Sequence, residues 1–199
     1  AGSTAPNGDR PVTCNGVTTY PLPIRLSNIK IYNNIIDHTG RGGIQLCDAQ
    51  QGSNEIYGNT VTNSGFEFVP SQGNGIVLGS YTTAYVHDNV IDYTYSTGIF
   101  SLGAGLIRIE NNKVDHSGQL AGTSANGSAS IMIDTRLTIP AINTQFYIKN
   151  NTLGSNTDGH VRLYNTFPTF VIDNLICNNY TNTGGAITIY ANPGIYWGT

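Results

Sequence analysis

Apolar and polar positions alternate through this chain in short runs that return at a nearly fixed interval. The order apolar, any, Asn/Gly/Asp, Asn, any, apolar begins at Ile31, Ile56, Val86, Ile109, Ile148 and Val171. It places an asparagine at Asn34, Asn59, Asn89, Asn112, Asn151 and Asn174. Successive asparagines are 25, 30, 23, 39 and 23 residues apart, so a 23-residue unit recurs with insertions of 2, 7 and 16. Periods of this size mark a stacked repeat, in which each unit buries its apolar face only against its neighbours.

A second pattern follows each asparagine, generally a small residue and then apolar, any, apolar. Its copies are Gly43-Ile44-Gln45-Leu46, Gly75-Ile76-Val77-Leu78, Gly98-Ile99-Phe100-Ser101, Ser130-Ile131-Met132-Ile133, His160-Val161-Arg162-Leu163 and Ala186-Ile187-Thr188-Ile189. A period of two predicts strands with one face inward and one outward. Each unit therefore holds a strand leading to the asparagine, a short strand after it, and the apolar-any-apolar strand. Stacking the units makes parallel sheets with like positions ~4.8 Å apart. Ile31, Ile56, Val86, Ile109, Ile148 and Val171 then form one buried ladder, and Ile36, Val61, Ile91, Val114, Leu153 and Ile176 a second. An inward amide costs several kcal/mol if unpaired. Six asparagines in phase solve this by donating each to the next and bonding the turn backbone.

These repeats resemble the right-handed parallel β-helix superfamily of pectate-lyase-like proteins over roughly residues 26–190. The resemblance implies an all-β solenoid of about six to seven coils, three parallel sheets and an internal asparagine ladder between the second and third sheets. It implies that the Gly-Ile-any-Leu strands form the first sheet, PB1. Residues 1–25, with Pro6, Pro11, Pro21 and Pro23 and no helical period, read as an irregular segment before a β-helix domain at 26–199. Neither end carries a recognisable cap, which suggests a piece of a longer protein or ends that stack on other copies.

Composition narrows the partners. Charged residues are 11% of the chain, while Gly (24) and Asn (23) are abundant, as suits a turn-rich β repeat. A net charge of -3 with nine scattered Lys and Arg argues against a nucleic-acid surface. No apolar stretch approaches the ~18 residues of a membrane span. The chain begins at Ala1 without a signal peptide, so it reads as a processed form or an excised piece. Of three cysteines, Cys14 and Cys47 are the pair expected to bridge, which fits a secreted or cell-surface protein.

Insertions point to a site. Extra residues precede PB1 at 64–74 and 117–129 and follow it at 134–143, and loops so placed would wall a groove over PB1. The outward PB1 columns across it read Gln45, Val77, Phe100, Met132, Arg162, Thr188 and Cys47, Gly79, Leu102, Asp134, Tyr164, Tyr190. Aromatic and apolar platforms beside a few polar groups suit sugar rings. Asp134, His160 and Arg162 are the candidate catalytic residues, and Phe100, Met132, Arg136 and Tyr164 the candidate substrate contacts. In resembling lyases an Arg or Lys on this face abstracts a proton α to a uronate carboxylate, and Arg162 has that position. An ordinary surface ion pair explains Asp134 and Arg162 as well.

Other motifs offer less. Asn156-Thr157-Asp158-Gly159 resembles an element of polygalacturonase-like hydrolases, but the paired aspartates, Gly-His-Gly and Arg-Ile-Lys that accompany it are missing. Asp-His-Thr/Ser-Gly occurs at Asp37–Gly40 and Asp115–Gly118, with Asp92 in register between them. Asp92 and Asp115, on adjacent rungs, could share a Ca²⁺; no other cofactor is suggested, and repeated turn chemistry accounts for them equally well. The expected function is a secreted β-helix that binds or degrades an acidic polysaccharide, as lyase or hydrolase if it is an enzyme. The alternative is a structural module or filament subunit that associates end to end with copies of itself.

Overall fold

The structure, a computed structural model, describes residues 12–14, 17–19, 26–49, 52–69, 72–79, 82–102, 105–119, 129–134, 144–156, 159–164, 175–181 and 187–190. Among these residues, three parallel sheets of six strands each build a parallel β-helix. PB2, leading to the asparagines, contains Lys30–Tyr32, Glu55–Tyr57, Ala84–His87, Gly105–Glu110, Thr144–Lys149 and Leu175–Cys177. PB3, which follows them, contains Ile35–Asp37, Thr60–Ser64, Val90–Thr94, Lys113–Val114, Thr152–Leu153 and Tyr180–Thr181. PB1 contains Ile44–Leu46, Ile76–Leu78, Ile99–Ser101, Ile131–Asp134, Val161–Tyr164 and Ile187–Tyr190.

The register is the one that alternation dictates. Ile31, Ile56, Val86, Ile109 and Ile148 stack in PB2, and Ile36, Val61, Ile91, Val114 and Leu153 in PB3. With the inward PB1 residues they form one continuous core. A single-residue slip would turn every one of these side chains to water, so burial fixes the register.

The asparagines occupy the corner between PB2 and PB3. Asn89 shows the geometry: its Oδ1 accepts from Asn59 N (3.0 Å) and Asn59 Nδ2 (2.9 Å). Its Nδ2 donates to Asn112 Oδ1 and to the carbonyls of Ile56 and His87, each at 2.9 Å. The buried amide is thus fully engaged. The residue before each asparagine has a positive φ: Asn33 56°, Gly58 62°, Asp88 53°, Asn111 57°, Asn150 57° and Asn178 52°. Only Gly, Asn and Asp enter the left-handed region readily, which is why the motif's third position is confined to them.

The last rung departs from expectation. Asn151 N and Nδ2 donate to Asn179 Oδ1 at 3.1 and 2.9 Å, so Asn179 takes the sixth place. Asn174 lies outside the described residues. Ile176 pairs with Ile148 rather than Leu153, and Thr181 pairs with Leu153. Two overlapping frames compete here: Val171-to-Ile176 fits the whole pattern, and Ile176-to-Thr181 fits all but its last place, where Thr181 in place of an aliphatic hid it.

Two other expectations change. Within 1–25, Val12–Cys14 and Val17–Thr19 pair as an antiparallel hairpin, so this segment is not wholly irregular. Cys47 is a free thiol, so the expected bridge to Cys14 is not made. Its Sγ accepts a bond from Gln45 Nε2 at 3.3 Å.

Candidate functional site

Outward residues of PB1 fall into the expected columns: Gln45, Val77, Phe100, Met132 and Arg162 in register, with Asp134 beside Tyr164. Their exposure is graded. Gln45 is exposed and Val77, Phe100 and Leu102 are half-buried, whereas Met132 (1%), Asp134 (4%), Tyr164 (7%) and Arg162 (8%) are buried. Ala129, Met132, Tyr164 and Phe100 form a second apolar cluster, separate from the interior core. The Arg162 guanidinium stands over the Tyr164 ring at 5.2 Å, an attractive arrangement for a cation. The expected open groove is therefore open only over the first coils and closes at Met132, one coil before Arg162. Arg136 and Asp158 lie outside the described residues.

His160 does not join this face. Gly43, Gly75, Gly98, Ser130 and His160 form one column, tied by Ile44 N–Gly75 O, Ile76 N–Gly98 O, Ile99 N–Ser130 O and Ile131 N–His160 O bonds. A Cβ at Gly75 would lie 2.6 Å from Ile91 Cγ2 of the core, so the column faces inward at the PB3–PB1 corner. His160 is accordingly 1% exposed. Asn156 Oδ1 accepts from Gly159 N at 2.7 Å, which orients its amide nitrogen toward His160 Nδ1, also at 2.7 Å. Nδ1 is then an acceptor and the ring proton sits on Nε2.

The aspartates at the end of PB3 act on the turn. Asp37 accepts from Thr62 Oγ1 (2.6 Å) and Asn63 Nδ2 (2.8 Å), with His38 Nδ1 at 2.6 Å. These bonds, Thr62 first, then Asn63 and His38, hold its carboxyl well below the usual carboxylate range. Asp92 accepts from Tyr93 N and faces His116 Nδ1 at 2.8 Å, and Asp115 accepts from His116 N and Ser155 N. The residues that follow, His38, Tyr93 and His116, have φ of 54°, 52° and 42°. Each carboxylate thus ties a strained turn to its own coil and the next. Among the described residues no three His, Cys, Asp or Glu converge as a metal site would require.

Two further features went unread in the sequence. On the outer face of PB2, Tyr32, Tyr57 and His87 stack at 5.0 Å intervals. Glu110, 4% exposed, accepts from Arg108 Nε (3.0 Å) and Tyr85 OH (3.2 Å) and lies 3.5 Å from Lys149 Nζ. The signal was available, because these residues hold the variable positions flanking the apolar one in PB2. The other is a pair of exposed rings, Phe66 and Phe68, on the turn after Thr60–Ser64. No helix among the described residues is long and apolar enough to cross a membrane.

A family model described as "Right handed beta helix region" matches residues 27–196. No curated protein and no solved structure matches the chain.

Proposed function

The chain belongs to the right-handed β-helix family, and from that premise we propose that it binds an acidic polysaccharide along the outer face of PB1. The observation that carries this is the second apolar cluster, built outside the solenoid from Phe100, Met132 and Tyr164 with Arg162 in the same columns. Sugar rings lie against Val77 and Phe100 on the open coils, and the run ends where Met132 closes the face, one coil short of Arg162, whose positive charge favours a uronate carboxylate. Rungs ~4.8 Å apart approximate the rise of one linked sugar, so successive residues meet successive coils. Binding rather than cleavage is the better-supported reading. The His160 ring is engaged inside the corner, and Arg162 is held against Tyr164 instead of standing free as a base. An extracellular or cell-surface location belongs to the same proposal.

Retention of the purified chain on immobilised polyuronates, with neutral glycans as controls, tests it. Phe100→Ala should weaken retention roughly tenfold, and raising the salt concentration should weaken it by screening the positive charge that draws the uronate. Failure of every polyuronate to bind removes the proposal. Ultraviolet absorbance of an unsaturated uronate product would show instead that the face is catalytic.

A further inference from the structure

The corner between PB3 and PB1 carries two phenylalanines that the solenoid has no packing need to expose. Phe66 is 65% and Phe68 60% solvent-exposed. Their turn is firmly held: Gly65 N and Phe66 N both donate to Thr39 O, and Glu67 N donates to Gly40 O at 2.8 Å. Phe68 has a φ of 57°, a conformation bulky residues rarely adopt. The rings form a row, with centroids 6.3 Å apart from His38 to Phe66, 5.9 Å from Phe66 to Phe68 and 5.0 Å from Phe68 to Tyr95. Tyr95 is buried and backs the row. Beside it Arg41 and Glu67 form a solvent-exposed pair at 3.5 Å.

Size and charge choose the occupant. Two phenyl rings offer at most ~150–250 Å² each, well short of the ~800 Å² per partner of a stable protein interface. A sugar ring needs only an aromatic face and donors and acceptors at its edge. Exposed ion pairs are weak enough to open for such bonds. Asp37 and Glu67 outnumber Arg41 here, so a polyuronate is repelled. We propose that this strip binds a neutral polysaccharide, its ring faces stacked on Phe66 and Phe68 and its hydroxyls bonded to Arg41 and Glu67. The inference does not depend on what PB1 binds.

Affinity electrophoresis of the full chain through gels holding xylan, β-glucan, galactomannan or polygalacturonate is the test. At least one neutral polymer should retard the wild type. Phe66→Ala and Phe68→Ala should each weaken that retardation roughly tenfold, with unchanged melting midpoints because both rings are exposed. Phe66→Leu should also weaken it and Phe66→Tyr should not, since the ring face is the ligand contact. Phe100→Ala should leave neutral-polymer retardation intact, which separates this strip from the PB1 proposal. If Phe68→Ala misfolds, the Phe66 variants decide alone. The inference is overturned if no neutral polymer retards the wild type, or if Phe66→Leu binds as the wild type does. It is overturned too if sedimentation shows that Phe66→Ala dissociates a dimer, because the rings would then be a self-contact.

Discussion

At the scale of single residues, position in the ladder sets the cost of a substitution. Asn112 accepts from Asn89 on one neighbouring rung and donates to Asn151 on the other, inside the solenoid, so Asn112→Ala orphans partners above and below. It should lose about 1–3 kcal/mol in urea unfolding. Asn179 is only part-buried, and Asn179→Ala should lose less; the reverse order would displace it from the ladder. Asn111, at φ 57°, should tolerate Gly and lose about 1–2 kcal/mol on replacement by Val. Asp37 adds a pH effect. Its carboxyl is held low mainly by Thr62, then Asn63 and His38, so folding favours the ionised form. That contribution is complete above ~3.9 and is lost as pH falls through the lowered folded value. Asp37→Asn should therefore flatten the acid limb of the stability curve, and superimposable limbs would rule the residue out.

At the scale of the element, the outer face of PB2 is held by more than its strand pairing. Glu110 binds Arg108 from its own strand, Tyr85 from the previous coil and Lys149 from the next. Glu110→Gln keeps the shape but loses the charge, and should cost about 1–3 kcal/mol in chemical denaturation, less than a fully buried pair because Arg108 and Lys149 still reach water. Burial first, and then Glu110, push the Tyr85 phenol above its ordinary value. Folding thus favours the protonated phenol. Its contribution is complete below ~10 and is lost as pH rises through the raised folded value. Tyr85→Phe should flatten the alkaline limb of the melting curve. An unchanged alkaline limb would mean that another group controls it.

At the scale of the whole molecule, charged groups lie buried on the outside of a solenoid whose inside is an apolar core with an asparagine column at one corner. Sequence alternation places Arg162 outward, and an outward residue reads as a free one; yet it is 8% exposed and lies over Tyr164. Arg162→Ala should accordingly destabilise the fold by about 1–3 kcal/mol through lost packing and bonding. Arg162→Lys should retain most of that stability while losing the fork. Equal melting points for wild type and Arg162→Ala would mean the guanidinium contributes nothing to the fold.

Sequence alone determined the repeat, the three sheets and which strand residues face inward. Those properties follow from period-two alternation and from the left-handed turn position that admits only Gly, Asn or Asp, both local to a few residues. Tertiary structure decided the rest. The last register, Ile176 on Ile148 and Thr181 on Leu153, escaped the local pattern because Thr181 takes the place of its final apolar residue, and only stacking on the previous coil reveals the frame. His160 could not be placed from alternation, because at a corner the chain turns and an apparently outward position faces the core. Whether Met132, Asp134 and Arg162 meet water depends on chain distant in sequence, and no local period encodes that.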